Sequence, residues 1–164
     1  MGIEGLSKDQ ASAMCRSLYA GVAELTSRDL GEVGFSHLFM NVTYVKCRRD
    51  GRVQSTAVVT AIGIGSDGAR RTLSGAAIET ETHTNWLGFL RVLRERVLSG
   101  VRLVVIDAHA RLVRAIAECP PGAGWQCCVV HLEIDARSLL TSKRHRALAG
   151  KALQTVLRET GSPP

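Results

Sequence analysis

One carboxylate stands out by its position. The run Val101-Arg102-Leu103-Val104-Val105-Ile106 is nearly continuous in apolar side chains and ends at Asp107, where a helical pattern begins. Such a run reads as a strand buried on both faces, in the middle of a sheet. An acid at its carboxyl end lies where open α/β folds place ligands, and it can either hold a metal ion or cap the following helix. Cys128 and His131, spaced Cys-x-x-His, are a second candidate. They supply two ligands where a structural zinc site needs four. Adjacent Cys127 points to the opposite face of the same strand, so a structural role is favoured over zinc. Lys46, Arg48, Arg49 and Arg52 flank a turn and suit phosphate contacts, although charged edges also discourage strand-to-strand aggregation.

These residues must be placed by a string of elements. Ser7 with Gln10 has the form of a capping box, and Ala11, Met14, Cys15, Leu18, Val22 and Leu25 follow at helical spacing, which predicts a helix over 8–25. Its polar side carries Lys8, Gln10, Ser12 and Arg16. That side suits a major groove or plain solvent, and a packing helix is the simpler reading. Strands are expected over 37–48, 52–65 and 70–79, joined by Asp50-Gly51 and by Gly65-Ser66-Asp67-Gly68, so three antiparallel strands form a meander. Trp86, Phe89, Leu90, Leu93 and Val97 mark a helix covering one sheet face, with Arg91, Arg94, Glu95 and Arg96 exposed and Gly100 ending it. A helix from Asp107 or Ala108 turns Leu112, Val113 and Ile116 inward and stops at Pro120-Pro121-Gly122. A fifth strand over 125–130, helical structure over 133–160 and a loose Gly161-Ser162-Pro163-Pro164 tail complete the chain.

The chain has 164 residues, 45% hydrophobic and 22% charged, enough to bury one core. Its formal charge of +6 arises after residue 40, since residues 1–40 hold three basic and five acidic side chains. That balance fits a polyanionic partner without requiring one. Five cysteines and no export signal argue against a disulfide framework, and no apolar run approaches the roughly 18 residues of a membrane span. A soluble intracellular protein is expected.

The stretch Leu38-Phe39-Met40-Asn41-Val42-Thr43-Tyr44-Val45-Lys46 resembles the first catalytic strand of Mutator-type bacterial insertion-sequence transposases, with Asn41 where that family carries aspartate. Val104-Val105-Ile106-Asp107-Ala108-His109-Ala110-Arg111-Leu112 is similar to their second aspartate block. Trp125-Gln126-Cys127-Cys128-Val129-Val130-His131 resembles their Trp-Gln-x-Cys-x-x-His signature, and Gly5-Leu6-Ser7-Lys8-Asp9-Gln10 the end of their helix-turn-helix region.

The resemblance implies a ribonuclease H-like mixed sheet in the α/β class: three antiparallel strands, then alternating helices and strands, with helices on both faces and the C-terminus incomplete. It divides the chain into the end of a DNA-binding region (1–30), a catalytic core (36–132), and the start of a helical insertion with a tail (133–164). In the family two aspartates and a glutamate hold two Mg²⁺ or Mn²⁺ ions for DNA strand cleavage and transfer. The first aspartate position is Asn41, the second is the metal-ligating Asp107, and neither Glu133 nor Glu159 matches the third. A truncated, inactive copy is therefore expected. The alternative is a non-catalytic remnant that binds DNA or pairs with intact transposase subunits. DNA, as element terminal inverted repeats and target, is the implied partner, contacted by Lys8, Gln10, Lys46 and Arg48. The implied setting is the bacterial cytoplasm, at the nucleoid and away from membrane, with homo-oligomers in keeping.

Overall fold

Alternating side chains after residue 34 build the sheet. The computed structural model describes residues 5, 7–49, 51–78, 80–107, 109–119 and 122–159. Strands β1 (Phe35–Arg49), β2 (Arg52–Gly65) and β3 (Arg70–Ile78) form the expected antiparallel meander. Gly51 and Gly68, at φ 76° in both cases, supply the left-handed conformation that each reversal needs. Asp67 braces the second turn by accepting from the Ala69 amide at 3.0 Å and from the Arg71 guanidinium through both carboxylate oxygens.

Strand β4 (Leu103–Ile106) lies parallel to β1, and β5 (Gly124–Cys127) parallel to β4, giving the order β3-β2-β1-β4-β5. The fold is thus α/β with an open mixed sheet. As expected, β4 is interior. On β2 every second residue from Ala57 to Gly65 is buried, and the register sets these beside Leu38 and Met40 of β1. Gly63 is required there, because a Cβ would stand 2.5 Å from Cδ1 of Phe35 and 2.9 Å from Cδ1 of Leu73.

Helices α2 (His83–Glu95) and α3 (Ala110–Glu118) close this face. Trp86, Leu90, Leu93, Leu112 and Ile116 join Leu38, Val59, Leu73, Val104 and Ile106 in one core. The opposite face, carrying Phe39, Ile62, Ile64 and Val105, is half-buried.

Several boundaries depart from expectation. Helix α2 is terminated by Val97, not Gly100. Val97 sits at φ 63°, its amide donates to Arg94 O, and the Leu98 amide donates to Leu93 O, completing a Schellman ending on a β-branched residue. Arg96 leaves the exposed side predicted for it. Its guanidinium donates to the carbonyls of Arg28 at 2.8 Å, Leu73 at 2.8 Å and Leu25 at 2.7 Å, and burial pushes its pKa down.

Through those contacts Arg96 fastens the carboxyl end of α1 (Lys8–Ser27), which begins with the predicted Ser7–Gln10 capping box. The rest of α1 is not the packing helix expected, for Met14, Leu18, Tyr19 and Val22 are all more than half exposed. The fifth strand ends at Cys127, so residues 129–130 begin a helix instead of continuing it. The expected helical stretch is two helices, α4 (Val129–Ser138) and α5 (Lys143–Glu159). The predicted tail at 161–164 lies outside the described residues.

Candidate functional site

The parallel register brings three of the singled-out residues level. β1 pairs with β4 through Phe39↔Val105, so two residues on, Asn41 stands level with Asp107. β4 pairs with β5 through Ile106↔Cys127, so Cys128 stands level with Asp107 on its other side. Residues level in neighbouring strands share a face, which sets Asn41, Asp107 and Cys128 on the half-buried face, away from buried Met40 and Ile106. The ladder continues one step, as the Cys128 amide donates to Ile106 O at 2.5 Å.

Asp107 does not cap α3. The N-cap is His109, without a side-chain cap, and Asp107 Oδ1 instead accepts from the His109 amide at 3.3 Å, closing a short turn before the helix. A carboxylate that only caps would be spent on the first helical turn, whereas this one keeps its remaining lone pairs for the sheet edge. Asn41 is exposed, its Nδ2 donating to Thr43 Oγ1 at 3.3 Å on the same strand face.

Cys128, expected on the fifth strand, is the N-cap of α4, and His131 lies in that helix's first turn. Nδ1 of His131 is buried and has no hydrogen-bond partner among the described residues. Cys127, level with Ile106 on the helix-covered side, has its thiol pKa raised by burial and then by the neighbouring Cys128, Asp135 and Asp107. Trp125, on the edge strand, is 44% exposed and so is not a core anchor.

The residues singled out for DNA divide between two elements. Lys46 and Arg48 are exposed on the far half of β1, which projects beyond the core with β2. Lys8 and Gln10 sit at the free end of α1, about 30 Å along the axis from the end that Arg96 fastens. Gln10 is also occupied, since Oε1 accepts the Ser7 amide at 2.9 Å.

Sequence reasoning passed over Glu81, in the loop before α2. Its carboxylate accepts a hydrogen bond from the Tyr44 hydroxyl and stands 3.7 Å from Nε2 of His109. That hydrogen bond is the main cause of a raised Tyr44 pKa, to which burial and the negative charges of Glu81 and Asp107 add. No spacing in the chain signals this, because Tyr44 and Glu81 are 37 residues apart. Glu133 is engaged elsewhere, paired with Arg137 one turn along α4.

As a site for divalent cations the row is poor in donors. Hard cations prefer charged oxygens, and Asn41 offers a neutral amide beside the single carboxylate of Asp107. Among the described residues no group of three or more His, Cys, Asp or Glu side chains is arranged to hold a metal ion. Among those residues, too, no helix is long and apolar enough to cross a membrane.

Comparison with known proteins adds an independent line. A family model described as "Transposase, Mutator family" matches residues 1–161. The transposase for insertion sequence element IS406 of Burkholderia multivorans is 34% identical over 151 residues, which cover 92% of this chain and 38% of that protein. The transposase for ISRM5 of Rhizobium meliloti is 40% identical over 137 residues, 84% of this chain and 34% of the relative. That for IS1081 of Mycobacterium tuberculosis is 37% identical over 131 residues, 80% and 32% of the two chains. The chain thus spans about a third of the length of these curated relatives.

Proposed function

On the premise that this chain belongs to the Mutator family of transposases, we propose that its family role is DNA transposition of an insertion element by metal-dependent strand cleavage and transfer, and that this copy does not itself catalyse that chemistry. The strand order, with β1 central and β4 and β5 running parallel to it, supports a ribonuclease H-like core. Within that reading residues 1–30 end a DNA-binding region, 36–132 form the core and 133–164 open a helical insertion.

The observation that carries the inactivity is Asn41 standing level with Asp107. A two-metal site stabilises the attacking and leaving oxygens of an in-line displacement, and its carboxylates supply the charge that keeps both ions in place. Replacing one by an amide removes several kcal/mol of charge stabilisation, which lowers rate by orders of magnitude. Mg²⁺ or Mn²⁺ is then not held productively, because the donor set does not fit it. Purified chain, given either ion and DNA carrying element-end inverted repeats, yields no cleavage or joining, and robust turnover would overturn the proposal.

The exposed basic residues of the projecting hairpin support a second reading, a module that binds DNA or pairs with intact transposase subunits. Phosphate contacts by Lys46 and Arg48 predict retention on DNA that weakens steeply with salt, without cleavage. No binding at low salt would sink it.

A further inference from the structure

Hydrogen bonding between β1 and β4 stops short of the residues it would have to align. The last paired residues are Phe39 and Val105, two before Asn41 and Asp107, so the backbone ladder does not hold these two level. Beyond that point no rung of the ladder joins β1 to β4, each being held only on its other side, β1 by β2 and β4 by β5. A contact from outside the ladder is needed to keep the row closed, and one residue supplies it from a third segment.

That residue is Glu81, between β3 and α2, with its side chain only 13% exposed. One carboxylate oxygen accepts the hydroxyl of Tyr44, three residues beyond Asn41 on β1. The other faces Nε2 of His109 at 3.7 Å, two residues beyond Asp107. The backbone carbonyl of Glu81 accepts from Nη1 of Arg111 at 3.1 Å, one turn into the same segment. His109 is fixed at both ends, for its amide donates to Asp107 Oδ1 at 3.3 Å and its ring packs against fully buried Trp86 with centroids 6.4 Å apart. A carboxylate withdrawn this far from water must be compensated by such partners, so its geometry is set by them and sets them in turn.

We infer that Glu81 is a positioning residue: through Tyr44 on one side and His109 and Arg111 on the other, it clamps the Asp107 turn against the strand that carries Asn41. Its carboxylate and carbonyl contacts go to neither Asn41 nor Asp107, so it acts through its partners. What the clamp means for catalysis rests on the transposase reading, but the clamp itself does not. Tyr44 reports on it, as its phenol is held neutral above the usual range chiefly by this hydrogen bond.

The test is amide hydrogen exchange on the whole chain, comparing Glu81→Ala and Glu81→Gln with the parent. In Glu81→Ala the amides of residues 109–113 exchange roughly tenfold faster while those of the β1–β2 ladder keep their rates, as expected for a local opening. Glu81→Gln keeps an acceptor for Tyr44 but loses the charge facing His109, and falls between the two. With Tyr19→Phe in the background, ultraviolet titration finds Tyr44 ionising at lower pH in Glu81→Ala than with Glu81 present. Unchanged exchange at 109–113 in a folded variant overturns the proposal, and so does acceleration spread evenly over the sheet. Should Glu81→Ala fail to fold, Glu81→Gln alone decides by the same two measurements. No readout involves DNA cleavage, so a failed transposase reading leaves the result interpretable.

Discussion

The chain carries two pairs of helices rich in apolar residues, and those residues meet opposite fates. In α2 and α3 the face is spent on the sheet: Trp86, Leu93 and Ala115 are fully buried and Leu90, Leu112 and Ile116 nearly so. In α4 and α5 it is largely in water, with Val130, Ile134, Leu148 and Val156 more than half exposed and Leu139 84% exposed. Part of the difference lies in the helices, since the apolar residues of α4 gather on no single face as those of α3 do, and part in what stands opposite them. Hydrophobic spacing states that a face can be buried, while burial requires a complementary surface within reach, and among the described residues α2 and α3 have the sheet whereas α4 and α5 have chiefly each other.

Substitutions can break or sharpen this contrast. Trp86→Ala in the covered pair should cost about 3–5 kcal/mol, the range for emptying a large aromatic site, and denaturant unfolding would show it. A cost near zero would mean that the core is not where stability resides. Arg96→Ala removes three charge-assisted bonds to carbonyls that tie α1 to the sheet. A loss of about 2–3 kcal/mol is expected, with faster exchange in the last turn of α1. Val97→Gly goes the other way, because relief of the left-handed strain at φ 63° should stabilise the covered pair by about 1 kcal/mol in the same unfolding assay. In the open pair Leu139→Ala should lie within about 0.5 kcal/mol of the parent. A loss several times larger would show that α4 and α5 bury that face in solution.

The smallest effect concerns pH. The Arg71 guanidinium, helped by the Ala69 amide, holds the Asp67 carboxyl well below the usual carboxylate range. The folded value lies under the unfolded one, so this contribution is complete above the ordinary carboxylate pKa and is lost as pH falls through the folded value. Asp67→Asn should therefore flatten the acid limb of a stability-against-pH curve slightly. A pH dependence no different from the parent's would show that the turn pair contributes nothing.

Much of the scaffold was legible because its signals are local. The capping box at Ser7, the glycine turns at 51 and 68 and the period-two runs between them depend on neighbours within a few residues, and each stands where the spacing puts it. The misreadings share one cause, competition from distant parts. Val97 ends α2 although a glycine stands three residues later, because Leu98 must turn back toward the sheet and the Schellman bonds form where that turn falls. Arg96 reads as a solvated helix residue until three carbonyls from two other segments converge on it. Val129 and Val130 read as strand until β5 stops at Cys127.

The candidate site divides along the same line. Its sequence by itself determined which side chains are available, including an amide at Asn41, a carboxylate at Asp107 and a thiol at Cys128, and it carried the family resemblance that the comparisons bear out. Tertiary structure alone decided that these three stand level on one face and that Glu81 joins their supports. Side-chain chemistry is written residue by residue, whereas the register between β1 and β4 joins residues more than sixty positions apart. Such pairing is set by how the whole sheet buries Leu38, Val104 and Ile106 beneath α2 and α3, a free-energy balance that no short stretch of the chain contains.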